Sequence, residues 1–74
     1  MMLYDPDHYG MQVILPDKSR HTLPPDPLDI HEILLAFGCN PTTVIVIRNG
    51  TVVPEDFIAR GDDEIRIVSV SHGG

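Results

Sequence analysis

The stretch Val44-Ile45-Val46-Ile47-Arg48-Asn49-Gly50-Thr51-Val52-Val53 decides the fold. Two β-branched runs flank an Asn-Gly pair. That pair accepts positive φ at both central positions of a type I′ turn, so the segment reads as a tight antiparallel hairpin. A sheet is therefore present, and the flanking segments must supply its other strands and its cover.

Upstream, Asp29 and Glu32 have the spacing of a capping box, and Ile30, Ile33, Leu34 and Phe37 fall on one stripe at i, i+3, i+4, i+7. Gly38 supplies a left-handed stop and Pro41 forbids continuation, so a helix is predicted over 29 to 37. It cannot start earlier, because Pro24-Pro25-Asp26-Pro27 lacks three backbone donors. Before that block, Met11 to Leu15 and Arg20 to Leu23 read as strands joined by the turn residues Pro16-Asp17-Lys18-Ser19. Residues 1 to 9 have no periodicity and read as a loose leader.

Downstream, Pro54 to Ala59 is too short for a full helix and is expected to make one turn, tucking Phe57 or Ile58 under the sheet. Arg60-Gly61-Asp62-Asp63 reads as a polar turn. Glu64 to Ser71 alternates as the last strand, and residues 72 to 74 form a flexible tail. A lone amphipathic helix and a sheet have only each other to bury against. The expected class is α+β, with a mixed sheet of four to five strands, one helix on one face, and the first and last strands parallel at its centre. This order, over residues 10 to 71, is that of the β-grasp fold.

Composition narrows the function. A chain of 74 residues is one domain, too small for a deep catalytic cleft within its single core. Eleven acidic against five basic residues give a net charge of −6, which opposes a phosphate backbone and argues against nucleic acid as a partner. One cysteine, Cys39, allows neither an intrachain disulfide nor a thiolate cluster, and fits a reducing compartment. No apolar run approaches the roughly 20 residues of a membrane span, and Met1 to Asp7 is unlike a signal peptide. A soluble, cytoplasmic protein away from membranes is expected.

No conventional active site is visible. His8, His21, His31 and His72 lack an i, i+4 pair and nearby thiolates, so they read as solvated side chains and not as a metal set. Cys39 reads as inert packing at the helix exit. Asp62-Asp63-Glu64 beside Gly61 reads as a turn and not as paired catalytic carboxylates. Neither catalytic nor metal-ligating residues are assigned. Attention falls on the end of the chain: with glycine near 7% of residues, Gly73-Gly74 would close a sequence by chance about once in 200.

Together with the element order, four stretches resemble the ThiS/MoaD family of ubiquitin-like sulfur-carrier proteins. They are Leu34-Leu35-Ala36-Phe37-Gly38-Cys39-Asn40-Pro41, Arg48-Asn49-Gly50-Thr51-Val52-Val53-Pro54, Gly61-Asp62-Asp63-Glu64-Ile65-Arg66-Ile67-Val68, and the terminal Gly73-Gly74. The resemblance spans roughly residues 10 to 74. The chain departs from the family in its longer leader, in Cys39 where leucine is common, and in His72 before the glycines.

The resemblance implies that the Gly74 carboxylate is adenylated by an E1-like enzyme using ATP and Mg²⁺, with no cofactor bound by the chain itself. A sulfur donor, a protein persulfide or sulfide, would then convert it to a thiocarboxylate for a downstream synthase. Thiamine, molybdopterin, cysteine or homocysteine, and thiolated tRNA assembly all use such carriers; compactness favours a ThiS-like role. Such a chain is a co-substrate and not an enzyme. Glycines suit the end because a Cβ would stand beside the reacting carbon.

Alternation in the last strand gives a docking expectation. If Ile65 and Ile67 face the core, Arg66, Val68 and Val70 face the other way, where Ile45 or Ile47 join them, and that face is expected to bind the activating enzyme. Two alternatives stay open: a ubiquitin-like modifier joined through Gly74 to a lysine, and a noncovalent β-grasp interaction module.

Overall fold

The computed structural model describes residues 10 to 70. The leader and the tail segment containing Gly73 and Gly74 lie outside the described residues.

The predicted hairpin forms as β4 (Val44–Arg48) and β5 (Thr51–Val53), with Asn49 at φ 49° and Gly50 at φ 89°, the signs a type I′ turn requires. The first hairpin is β1 (Met11–Ile14) against β2 (Arg20–Leu23), pairing Met11 with Leu23 and Ile14 with Arg20. Between β1 and the last strand, β7 (Glu64–Ser69), the pairing is parallel; β4 pairs with β7 antiparallel. The result is a mixed five-stranded sheet in the order β2-β1-β7-β4-β5, with the last strand central and parallel to the first.

Helix α1 covers Ile30–Ala36, slightly shorter than predicted because Asp29 and Phe37 are its caps. The Asp29 carboxylate accepts the Glu32 amide at 2.8 Å. At the other end, Gly38 at φ 72° donates to Leu35 and Cys39 to Leu34, the paired bonds of a Schellman stop. Ile30, Ile33 and Leu34 point from the helix into a core with Met11, Val13, Val46, Ala59, Ile65 and Ile67. Each fully buried Ile or Leu contributes about 1.5 to 3 kcal/mol. This packing places one helix on one face of an α+β sheet.

Two segments differ from expectation. Residues 54 to 59 make no helical turn. Phe57 donates to Pro54 at 3.1 Å, and then β6 (Ile58–Ala59) pairs with a short β3 (Leu28–Asp29). The physical reason lies in the hydrogen bonds, because the carbonyls of Glu55 and Phe57 accept the His31 and Ile30 amides at 2.8 and 2.9 Å. Those two amides begin a helix and have no partner inside it. The segment caps a helix from outside instead of forming one. Ala59 is the buried residue here, Phe57 is half-buried, and Ile58 is exposed. A 3₁₀ turn over Pro41–Thr43, capped by Asn40, leads into β4.

Gly10 opens β1 at φ 126°, where a Cβ would lie 2.1 Å from the Leu23 carbonyl oxygen. No side chain fits there, so this glycine sets the approach of the chain to its first strand.

Candidate functional site

Strand β7 has two faces and two ends, and both differences matter. Ile65 and Ile67 are buried against the helix, so Glu64, Arg66 and Val68 face the opposite, uncovered side of the sheet. Register then sets their neighbours. Ile45 lies opposite Val68 and Ile47 opposite Arg66 on one flank, while Ile14 lies opposite Arg66 on the other. One row across the sheet reads Arg20, Ile14, Arg66, Ile47, Val52.

The structure thus brings Ile45, Ile47, Arg66 and Val68 together on one face. Val68 and Ile45 are about 40% exposed and Val52 is 65% exposed, an apolar area no element covers among the described residues. Val70 follows the strand, half-buried, its N–H donating to the Thr43 carbonyl at 2.9 Å. Residues this face adds to those expected are Ile14 and Val52. The alternation of β1 and β5 contained the signal, but only the strand order places them beside Arg66.

At the end of β7 from which the chain continues toward Gly73 and Gly74, a groove of about 250 Å³ opens beside the β1–β2 turn. Lys18 and Arg66 both line it, together with Ile14, Leu15, Pro16 and Val68. Among the described residues the Arg66 guanidinium has only a distant ion-pair partner, Glu64 at 3.9 Å, and both side chains are well exposed. Such a pair contributes little. Asp17, in the same turn as Lys18, accepts the N–H and O–H of Ser19 on Oδ1 at 2.9 and 2.6 Å. Those bonds, chiefly the hydroxyl's, hold the Asp17 carboxyl below its ordinary range.

The opposite end is tied down, beyond what the sequence reading anticipated. The polar turn forms as expected, closed by the Asp63 amide on the Arg60 carbonyl at 3.2 Å, yet the Asp63 side chain is buried at 5% exposure. Its Oδ1 accepts Arg48 Nη2 at 3.1 Å and Asn49 Nδ2 at 3.3 Å, and its Oδ2 accepts the Arg60 amide at 3.1 Å. Burial pushes the carboxyl pKa up, but the bonds from Arg48, Arg60 and Asn49 and the Arg48 charge outweigh it and hold the group low. Asn49 also accepts the Glu64 amide at 2.8 Å, and the Arg48 guanidinium lies 5.3 Å from the centre of the Phe57 ring. This is a structural latch between the two halves of the sheet.

Of the two described histidines, His31 is exposed as read, whereas His21 is not. His21 is half-buried, its ring 5.0 Å from that of Phe37 and its Nε2 3.0 Å from Ser19 Oγ. His31 Nδ1 lies 2.6 Å from Glu55 Oε1 on the exposed helix side, and that bond, helped by the Glu55 charge, raises the His31 pKa against the opposing effect of desolvation. His8 and His72 lie outside the described residues. Cys39 is half-buried against the core. Among the described residues, no helix is long and apolar enough to cross a membrane.

No protein-family model matches the chain. A protein of Archaeoglobus fulgidus described as uncharacterized is 44% identical over 43 residues, which is 58% of this chain and 63% of that protein. The match therefore spans less than two thirds of that relative's length, and its description names no activity.

Proposed function

We propose that this chain is a β-grasp sulfur carrier of the ThiS/MoaD type, the ThiS-like role favoured, whose working group is the Gly74 carboxylate. The observation that carries the reading is the placement of β7: the strand leading to Gly73-Gly74 is the central one, parallel to β1 and anchored at its start by the Asp63 latch. A rigid handle of this kind positions a terminal group in a partner's site. A carboxylate is a poor electrophile, so an E1-like enzyme with Mg²⁺-ATP first forms the acyl adenylate and releases pyrophosphate. Hydrosulfide then attacks the acyl carbon, AMP leaves, and the thiocarboxylate remains. The chain is a co-substrate; the catalytic groups belong to partners. The face bearing Ile45, Ile47, Arg66, Val68 and Val70 docks the activating enzyme.

The test begins with the intact mass of the native protein, which must end at Gly74. Incubation with a cognate activating enzyme, Mg²⁺-ATP and sulfide should then replace one oxygen by sulfur at the terminal residue. Gly74→Val should suppress adenylation, because a β-branched side chain crowds the attacked carbon. Equal adenylation of a Gly74-deleted chain overturns the reading. The uncovered apolar face favours a second reading, a noncovalent interaction module, which predicts partner binding unchanged by that deletion.

A further inference from the structure

We propose that the groove at the tail-proximal end of the open face, lined by Ile14, Leu15, Pro16, Lys18, Arg66 and Val68, receives a partner-protein segment bearing a carboxylate between apolar side chains. The proposal rests on the docking-face reading above and adds the chemistry of what docks.

The first argument is the distribution of charge. The chain carries −6 overall, yet three of its five basic residues, Lys18, Arg20 and Arg66, gather around this face. Arg48, by contrast, is bonded to Asp63 on the helix side, where Asp29, Glu32 and Glu55 also lie. Lys18 has no ion-pair partner among the described residues, and Arg66 has only the 3.9 Å approach of Glu64. A carboxylate entering between Lys18 and Arg66 would gain charge-assisted hydrogen bonds that the described residues do not supply.

The second argument is shape. The groove is concave and floored by Ile14 and Val68, so apolar side chains flanking the carboxylate have surface to bury against. Lys18 is held at φ 74° in a turn closed by its own N–H on the Leu15 carbonyl at 2.8 Å. Asn or Gly would take that conformation at lower cost, so lysine here brings its charge to the rim against a backbone preference.

The third argument selects among anions. Charges are screened over about 8 Å at physiological salt, so a single carboxylate in the groove meets Lys18 and Arg66 together with two nearby acids, Asp17, whose Oδ1 is taken up by Ser19, and Glu64, 3.9 Å from Arg66. An extended anion, such as a nucleic acid or a charged bilayer, would also meet the acidic remainder of the surface. A protein segment is the occupant the field permits.

The test selects random dodecapeptides displayed on phage against the immobilised full-length chain, with no ATP and no activating enzyme. Synthetic versions of the enriched peptides are then titrated into ¹⁵N-labelled protein. The proposal expects Asp or Glu beside Leu, Ile or Val in the enriched sequences, and amide shifts confined to residues 14 to 18 and 66 to 70. It also expects binding about tenfold weaker in Lys18→Asn/Arg66→Gln, and weakened by salt. Asn suits the left-handed position, and an unchanged thermal midpoint checks that this variant is folded. Enrichment of basic or uncharged peptides, no enrichment, shifts elsewhere, or equal binding by the variant overturns the proposal. So do shifts that grow with protein concentration alone, which would assign the groove to a second copy, and shifts produced by phosphatidylserine vesicles. Because no adenylation is involved, failure here leaves the sulfur-carrier reading standing, and failure of thiocarboxylation leaves the groove standing.

Discussion

The two ends of β7 are built on opposite principles. At its start, Asp63 gathers Arg48, Asn49 and the Arg60 amide, while the Asp63 and Glu64 carbonyls accept the Gln12 and Asn49 amides at 3.0 and 2.9 Å. At its far end, Arg66 and Val68 look onto a groove with exposed apolar surface, where Lys18 has no ion-pair partner among the described residues and Arg66 has a long contact to Glu64 at 3.9 Å. One end fixes where the strand is; the other leaves side chains available to something else. Disturbing the first should cost stability, and disturbing the second should cost binding.

The largest effect is expected at Gly10, at the tied end. Gly10→Ala places a Cβ 2.1 Å from the Leu23 carbonyl oxygen at a φ of 126°, so β1 or β2 must shift. A loss of about 3 kcal/mol or more is expected, read from the urea midpoint. A loss below about 1 kcal/mol would show that the first hairpin is not held at that end.

Asp63→Ala comes next, at about 2 to 3 kcal/mol, since it leaves Arg48 without its partner while the Arg48 Nε is already buried and unbonded. The pH dependence has a definite sign. The native carboxyl is held below its ordinary value, so its contribution is complete above about pH 4 and disappears as pH falls through the lowered value. Urea midpoints of the wild type and of Asp63→Asn should therefore converge toward the acid end of a titration. Curves that stay parallel would remove Asp63 from the latch.

Val68→Asp, at the open end, should change stability by less than about 1 kcal/mol, because Val68 is already 37% exposed and makes no part of the core cluster. Its effect should appear instead as weaker binding of the activating enzyme. A collapse of the thermal midpoint would contradict the division between the two ends.

The smallest effect concerns His31 and Glu55, on the helix side and well exposed. The His31 pKa is raised, so the pair's stabilisation is present below about pH 6.5 and lost as pH rises through the raised value. An NMR titration should give a lower His31 pKa in Glu55→Gln than in the wild type, and thermal midpoints of the two should differ at pH 5.5 more than at pH 8.5.

Local rules made much of the fold legible. The Asn49-Gly50 turn, the Asp29 cap, the Gly38 stop and the alternation of Ile65 and Ile67 each depend on residues a few positions apart, and each stands as read. Residues 54 to 59 were misread because their carbonyls serve α1, more than twenty residues upstream. The burial of Asp63 within its turn stayed hidden for the same kind of reason. An acidic residue beside glycine looks solvated until Arg48 and Asn49, 15 and 14 positions away, are known to converge on it.

By itself, then, the sequence determined the helix, the two hairpins and the last strand, their order along the chain, and the alternation that turns Arg66 and Val68 away from Ile65 and Ile67. What only the tertiary structure decided is the pairing of β4 with β7 and of β3 with β6, and the side-chain meetings across strands: that Ile14 and Lys18 share a groove with Arg66 and Val68 while Asp63 is closed in by Arg48. Dihedral preferences and periodicity act over one or two turns of chain. Strand order and burial arise only when distant segments compete to cover the same apolar face, a comparison no short stretch of sequence contains.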